Sequence, residues 1–154
     1  MDVYGVQEEE DVIHENISVN KDRSISKEEI DTITQVLKNH FFFGNLGEED
    51  LIVVVEKMFY ASVDAGEHIF KQNDRGSCFF FIAEGEAIVL INGVNKKTLG
   101  VNSTFGELAL LYDSPRSATI KCDNQTWFWV IDRITFKKLY QDIAEKQFIE
   151  NRKF

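Results

Sequence analysis

Phe105-Gly106-Glu107-Leu108-Ala109-Leu110-Leu111-Tyr112-Asp113-Ser114-Pro115-Arg116-Ser117-Ala118-Thr119 breaks a long series of short apolar runs and holds the chain's single proline. Gly106 enters a short helix-prone run from Glu107 to Leu111, Asp113-Ser114-Pro115 makes a turn, and Arg116 follows at the start of a strand-like stretch. These residue types in this order describe a cradle for an anion. A glycine lets the backbone approach a ligand closely. The first N–H groups of a short helix are unpaired and favour negative charge. An arginine supplies a fixed charge and a planar fork that grips two phosphate oxygens. Glu107 in the same turn repels a bare phosphate, but it accepts from a hydroxyl, so the combination favours a sugar phosphate over inorganic phosphate. Taken alone, Glu107 and Arg116 need be no more than a surface ion pair; the whole pattern favours the cradle.

Outward from this stretch, strand-like runs recur between about Met58 and Ile131: Met58–Val63, His68–Lys71, Cys78–Glu84, Ala87–Ile91, Lys96–Leu99, Ala118–Cys122 and Trp127–Ile131. Gly, Asn and Asp separate them, as at Asp64-Ala65-Gly66 and Asn73-Asp74-Arg75-Gly76. Short strands at close spacing predict an antiparallel sandwich or barrel. Asn92-Gly93 is a hairpin signal, since both residues accept positive φ. Ahead of the strands, Ser26 with Glu29 three residues later forms a capping box. Ile30, Ile33, Val36 and Leu37 then follow at helical spacing to about Asn39. His40-Phe41-Phe42-Phe43-Gly44-Asn45-Leu46-Gly47 is an aromatic connector into a second helix from Glu48 to about Lys57. After the strands, Phe136, Leu139, Tyr140, Ile143, Ala144, Gln147 and Phe148 fall near one helical face, running on towards Phe154 without Gly or Pro, as in a chain cut from a longer one.

Composition narrows the function. In 154 residues, 44% apolar and 28% charged, there is room for one domain plus a tail, and 13 Phe and 2 Trp supply a core. The 17 basic and 26 acidic residues give a net charge of −9, which argues against nucleic acid and against an anionic membrane surface. No run is long and apolar enough for a membrane span, and the acidic start does not read as a signal peptide. Six acids and no base fall in residues 1–20, so residues 1–24 read as an acidic, disordered tail. Cys78 and Cys122 read as two buried free thiols of a reducing, cytoplasmic setting rather than a disulfide. His14, His40 and His68 lack ligand spacing, so no metal is expected. There is no nucleophile–base pair and no Gly-rich ATP loop with a following lysine, hence no catalytic residue.

Phe105 to Thr119 resembles the phosphate-binding cassette of cyclic nucleotide-binding domains, whose form is F-G-E-x-A-L, a few residues, then P-R-x-A-T; every fixed position is matched. The resemblance extends from about Ile25 to Phe154 and includes Phe80-Phe81-Ile82-Ala83-Glu84-Gly85 and Trp129-Val130-Ile131-Asp132-Arg133-Ile134-Thr135-Phe136, which is similar to the regulatory domains of cyclic nucleotide-dependent protein kinases. It implies an α+β fold over 25–154: helices within 26–57, an eight-stranded antiparallel β-roll over 58–131 with the cassette at 105–119, and C-terminal helices over 133–154. It further implies a ligand site of Phe105, Gly106, Glu107, Leu108, Ala109, Arg116, Ser117 and Ala118. Glu107 would take the ribose 2′-hydroxyl and Arg116 the exocyclic phosphate oxygens, with the amides of Ala109 and Ala118 adding phosphate contacts. The family often has Gly where Asn73 and Asn102 stand. Asn is the next-best residue at positive φ, so both turns are expected to survive.

The residue after the cassette arginine is usually Ala in cAMP-binding kinase domains and Thr or Ser in cGMP-binding ones. Here it is Ser117, whose hydroxyl can accept from the guanine 2-amino group. The implied ligand is therefore cGMP, with cAMP weaker, and no cofactor beyond it. The implied module is non-catalytic: an amino-terminal regulatory domain of a cGMP-dependent protein kinase, closest to apicomplexan-type enzymes. Its partners would be the kinase domain and neighbouring regulatory domains of the same polypeptide. A cAMP-dependent kinase regulatory subunit and a cyclic nucleotide-gated channel domain are the alternatives. A cupin-type enzyme would need several strand histidines, and only His68 lies there.

Overall fold

The computed structural model describes residues 13–151. Their elements run β1 (Ser18–Asn20), α1 (Lys27–Leu37), a 3₁₀ turn (Phe43–Asn45), α2 (Glu48–Glu56), β2 (Phe59–Val63), β3 (His68–Phe70), β4 (Cys78–Glu84), β5 (Ala87–Ile91), β6 (Val94–Leu99), β7 (Thr104–Phe105), a second 3₁₀ turn (Glu107–Leu110), β8 (Thr119–Lys121), β9 (Thr126–Asp132) and α3 (Arg133–Asn151). Two antiparallel sheets form the roll, in the orders β1-β2-β9-β4-β7 and β3-β8-β5-β6. The expected α+β class, an antiparallel roll flanked by helices, is what the chain adopts.

The apolar runs Cys78–Ala83 of β4 and Trp127–Ile131 of β9 follow from their position. Side chains alternate between the faces of a strand, so a strand covered on both faces must be apolar throughout. Cys78, Phe80 and Ile82, with Phe128 and Val130 of the neighbouring β9, face the second sheet and cluster with its Phe70, Val89 and Ile120. Phe79 and Phe81, with Trp129 and Ile131 of β9, face the helices and pack on Ile33, Leu37, Phe43, Leu51, Val55 and Phe136. Helix α1 starts at the expected box, with the Glu29 amide donating to Ser26 Oγ at 3.1 Å and the Ser26 amide donating to Glu29 Oε1 at 3.0 Å. Arg23 then pairs with Glu29 at 2.7 Å and lies over the Tyr60 and Trp129 rings, fastening α1 to the first sheet. Asn92 (φ 52°) and Gly93 (φ 77°) turn the β5–β6 hairpin, and Asn73 (φ 74°) and Asn102 (φ 70°) hold the left-handed turns expected of them.

Three differences from expectation stand out. The structure places Ser18–Asn20 as a ninth strand, paired with Ser62 to Tyr60 of β2, although residues 1–24 read as a disordered tail. All three residues are exposed, so the strand is held through its backbone and shows no apolar alternation; residues 1–12 lie outside the described residues. The two-residue strand β7 pairs Phe105 with Phe80, just ahead of the cassette. The C-terminal segment is one helix rather than several, buried through Phe136 and Ile143.

His40 shows how the aromatic connector is held. Its Nδ1 accepts from the Phe42 amide at 3.0 Å, and its ring stacks on Phe41 and meets Phe43 and Phe79. Burial lowers its pKa below the ordinary imidazole value, opposed in part by the Glu107 carboxylate. A His with a lowered folded-state pKa binds fewer protons folded than unfolded, so stability falls as pH drops below about 6.5. The urea midpoint of the wild-type chain is expected to drop more steeply between pH 7.5 and 5.5 than that of His40→Asn. Parallel slopes would show that His40 does not carry this linkage.

Candidate functional site

The cassette folds as a strand end, a left-handed glycine and one 3₁₀ turn. Gly106 sits at φ 92°, where a Cβ would lie 2.7 Å from the Cys78 carbonyl oxygen and 2.9 Å from Arg116 Nη1. Both the backbone angle and the space thus require glycine there. Pro115 bridges to Arg75, and the exposed Arg75 and Asp113 side chains pair with each other. The Arg116 amide donates to Asp74 O at 2.8 Å, while its carbonyl accepts from the Asn73 amide at 2.8 Å. The left-handed turn at Asn73 therefore fixes the chain at the arginine.

From this anchor Arg116 runs inward. Only 6% of it is exposed. Its guanidinium lies 4.1 Å over the Phe70 ring, and Nη2 donates to the Cys78 carbonyl and to Glu15 Oε2, both at 2.9 Å. Glu15 comes from the acidic stretch at the start of the chain. Its side chain is fully buried, and its Oε1 also accepts from the Ser77 amide and hydroxyl, each at 3.0 Å. Gly76 gives the arginine room, because a Cβ there would stand 2.2 Å from Arg116 Nε. That Nε is buried without a hydrogen-bond partner among the described residues. Burial pulls the Arg116 pKa down and Glu15 raises it; a guanidinium remains charged regardless.

The other expected site residues lie around this pair. Phe105 is buried and stacks on Phe80 at 4.9 Å, so it supports the cassette from the core. Glu107 is half-buried and its carboxylate accepts no hydrogen bond among the described residues. Leu108 is half-exposed, and Ser117 is exposed with its hydroxyl free among the described residues. The Ala118 amide likewise has no acceptor among the described residues. Ala109 differs from expectation: its amide donates to Gly106 O at 3.1 Å and closes the 3₁₀ turn instead of standing free. Glu107 and Arg116 do not pair with each other; the arginine is taken by Glu15.

Phe70, Gly76, Ser77, Cys78 and Glu15 surround the Arg116 guanidinium or its ion pair, and nothing in the sequence marks them for that place. Glu15 is one of six acids in an acidic stretch. Gly76 ends the separator Asn73-Asp74-Arg75-Gly76, and Ser77 stands between it and the next apolar run.

Arg133, the first residue of α3, ties the cassette to the C-terminal helix. Its Nη1 donates to Ala109 O at 3.1 Å and to Gly76 O at 3.0 Å, and its amide donates to Ser77 O at 2.7 Å. Beside it, Leu111 from the end of the cassette joins Phe42, Phe136 and Tyr140 in lining a cavity of about 270 Å³ along α3. Among the described residues no cluster of His, Cys, Asp or Glu is arranged to hold a metal, and no helix is long and apolar enough to cross a membrane.

A small roll that shapes a glycine-lined anion cradle and clamps it to a terminal helix is a ligand-binding module. The cyclic nucleotide-binding domain model matches residues 60–142, and the chain belongs to that family. It is 34% identical over 119 residues to the cAMP-dependent protein kinase regulatory subunit of Yarrowia lipolytica, covering 77% of this chain and 32% of that protein. It is 35% identical over 127 residues to the cGMP-dependent protein kinase of Plasmodium berghei, covering 82% of this chain and 15% of that protein. The chain thus spans a third or less of these curated relatives. The regulatory domain of Toxoplasma gondii PKA, solved with cAMP, aligns with a TM-score of 0.64 at 31% identity, covering 79% of this chain and 48% of that one.

Both cysteines are free and buried. Burial raises the pKa of each thiol, and the nearby Glu15 carboxylate raises that of Cys78 further. The thiolate is the reactive form, so neither is expected to react with an aromatic disulfide reagent at pH 8 within minutes, and both should react in guanidinium chloride. Rapid reaction of Cys78 in the folded protein would show that residues 13–17 do not cover it.

Proposed function

We propose that this chain is a non-catalytic regulatory module that binds cGMP in the cassette and relays binding through α3 to a protein kinase domain of the same polypeptide. The observation that carries this reading is the disposition of the cassette. It brings a guanidinium against Gly106 and leaves the Glu107 carboxylate and the Ala118 amide without hydrogen-bond partners among the described residues. A free carboxylate suits the ribose 2′-hydroxyl, an open amide suits a phosphate oxygen, and the arginine fork suits the phosphate charge. Those roles fall to Glu107, Ala118 and Arg116, with Ala109 supplying its amide once the 3₁₀ turn opens. Phe105 and Leu108 shape the wall.

The choice of nucleotide rests on Ser117. Its free, exposed hydroxyl is available to the 2-amino group of a syn guanine, and a hydrogen bond of that kind contributes about 0.5–1.5 kcal/mol. Adenine has no such group. The likeness to the Plasmodium berghei cGMP-dependent kinase supports the same choice; cAMP binds more weakly. The relay rests on Arg133, which holds the cassette carbonyl of Ala109 from the first turn of α3. A ligand that moves the 3₁₀ turn thereby shifts the helix, and binding acts by favouring one helix position over another. An apolar residue within 148–154 folds over the base when nucleotide is bound. The parent protein is a cytoplasmic serine/threonine kinase.

Titration calorimetry with the two nucleotides side by side tests the site. Ser117→Ala should weaken cGMP about 2- to 10-fold and leave cAMP nearly unchanged; equal losses for both would remove the guanine preference. Arg116→Lys keeps the charge but loses the fork, and should weaken both nucleotides by about 100-fold. Unaltered binding by that variant would overturn the cassette assignment. Hydrogen exchange across residues 140–154 should slow on adding cGMP, and an identical pattern with and without it would rule out the lid.

A further inference from the structure

The proposed site is already filled by an anion of the chain itself. Arg116 is 6% exposed, and its companion Glu15 is fully covered. In a guanidinium, Nε and Nη2 form one edge of the fork. Glu15 engages that edge through Nη2 alone, at 2.9 Å, and Nε is left buried without a hydrogen-bond partner among the described residues. A carboxylate thus occupies half of an edge that two phosphate oxygens would fill. Its other contacts are the Ser77 amide and hydroxyl.

We propose that Glu15 is an internal competitor for the phosphate position, so that a cyclic nucleotide binds by exchange and drives residues 13–17 out of the cradle. This rests on the assignment of Arg116 to the phosphate. Two features favour exchange over simple addition. Access is the first, since no ligand reaches the inner edge of Arg116 while the segment carrying Glu15 covers it. Charge is the second. The Glu15–Arg116 pair is neutral, and a phosphate monoanion placed beside it would bury two negative charges on one positive, with the half-buried Glu107 close by.

The segment is built to leave. Beside Glu15, its sequence-distant anchors among the described residues are mostly long or exposed hydrogen bonds: the Asn16 amide donates to Ile69 O at 2.7 Å, Asn16 Nδ2 donates to His68 O at 3.1 Å and to Glu67 Oε2 at 3.4 Å, the His14 amide donates to Ser77 Oγ at 3.4 Å, and Ile13 and Ile17 rest on the inter-sheet core. The strand that follows, β1, is three exposed residues on the edge of the sheet. Exchange converts ligand arrival into release of the chain that enters the domain, a second output beside α3.

The experiment compares the full chain with Glu15→Gln, which keeps the shape and a hydrogen-bonding oxygen but removes the charge. In titrations with cGMP and with cAMP, Glu15→Gln should bind about ten-fold more tightly or better. In the wild-type protein, hydrogen exchange at the Asn16 amide should accelerate on saturation with nucleotide. Equal or weaker binding by Glu15→Gln, or a slower Asn16 amide in the complex, would show that Glu15 supports the arginine and overturn the exchange while leaving the nucleotide site standing. Failure of both proteins to bind either nucleotide would instead overturn the functional reading, and the exchange with it. The Asn16 measurement needs no variant, so a Glu15→Gln protein that does not fold still leaves a decisive result.

Discussion

A guanidinium taken out of water needs an anion beside it, and Arg116 is taken almost wholly out of water. The penalty for an unpaired buried charge is large, and removing one partner of a buried pair costs about 3–5 kcal/mol. Much of the local architecture follows from that constraint. Gly76 and Gly106 clear a path for the side chain, Phe70 offers a ring face, and the Cys78 carbonyl takes one N–H. None of these groups carries negative charge. The remaining requirement is met by Glu15, which lies 101 positions away in the chain. The cradle is therefore closed by a residue outside the roll, and the roll's most buried charge depends on how the chain enters the domain.

The strands carry this constraint to the rest of the molecule. Because β4 is apolar on both faces, Cys78 looks towards the second sheet while Phe79, next to it, packs under the helices. The cradle and the helical layer thus share one strand and cannot move far without disturbing each other. Arg133 closes the loop from the other side. It leaves β9 and at once holds the carbonyls of Gly76 and Ala109, one on each lip of the cradle. A shift of the 3₁₀ turn has a rigid core behind it and a helix terminus in front. The outer half of the helix exposes Phe148 and Ile149.

What the sequence made legible divides along physical lines. Local signals are readable: the capping box at Ser26 and Glu29, the Asn92-Gly93 hairpin, the left-handed positions of Asn73 and Asn102, and the apolar runs at Cys78–Glu84 and Trp127–Ile131. Each depends on near neighbours in the chain or on burial that shows directly as apolar character. The cassette was readable because its glycine, acid, proline and arginine stand within 15 residues. Strand β1 was not, because it is held by backbone hydrogen bonds and its side chains are exposed, so no period appears. Glu15 was not, because a buried carboxylate and a solvated one are the same letter, and only the distant arginine tells them apart. That the Ala109 amide closes its own turn onto Gly106 O is equally invisible in the sequence. A three-residue turn can satisfy its own N–H, and whether it does so depends on what else is present to accept.

The contrast between Glu15 and β1 defines how the entering segment can behave. The carboxylate is fully buried and bonded to three donors, whereas the strand behind it is short and sits at a sheet edge. Exposed edge pairing contributes little cooperative stability, so the buried hold of residues 13–17 rests on the Glu15 ion pair with its Ser77 bonds and on two isoleucine contacts, with the Asn16 and His14 hydrogen bonds at its margin. An ion pair is the kind of contact that another anion can replace without loss, since the arginine remains satisfied throughout. Apolar contacts offer no such substitute. On the proposed exchange, the ion pair is the one contact of the segment that a phosphate replaces, so its release answers to an anion and not to uncharged solutes of similar size.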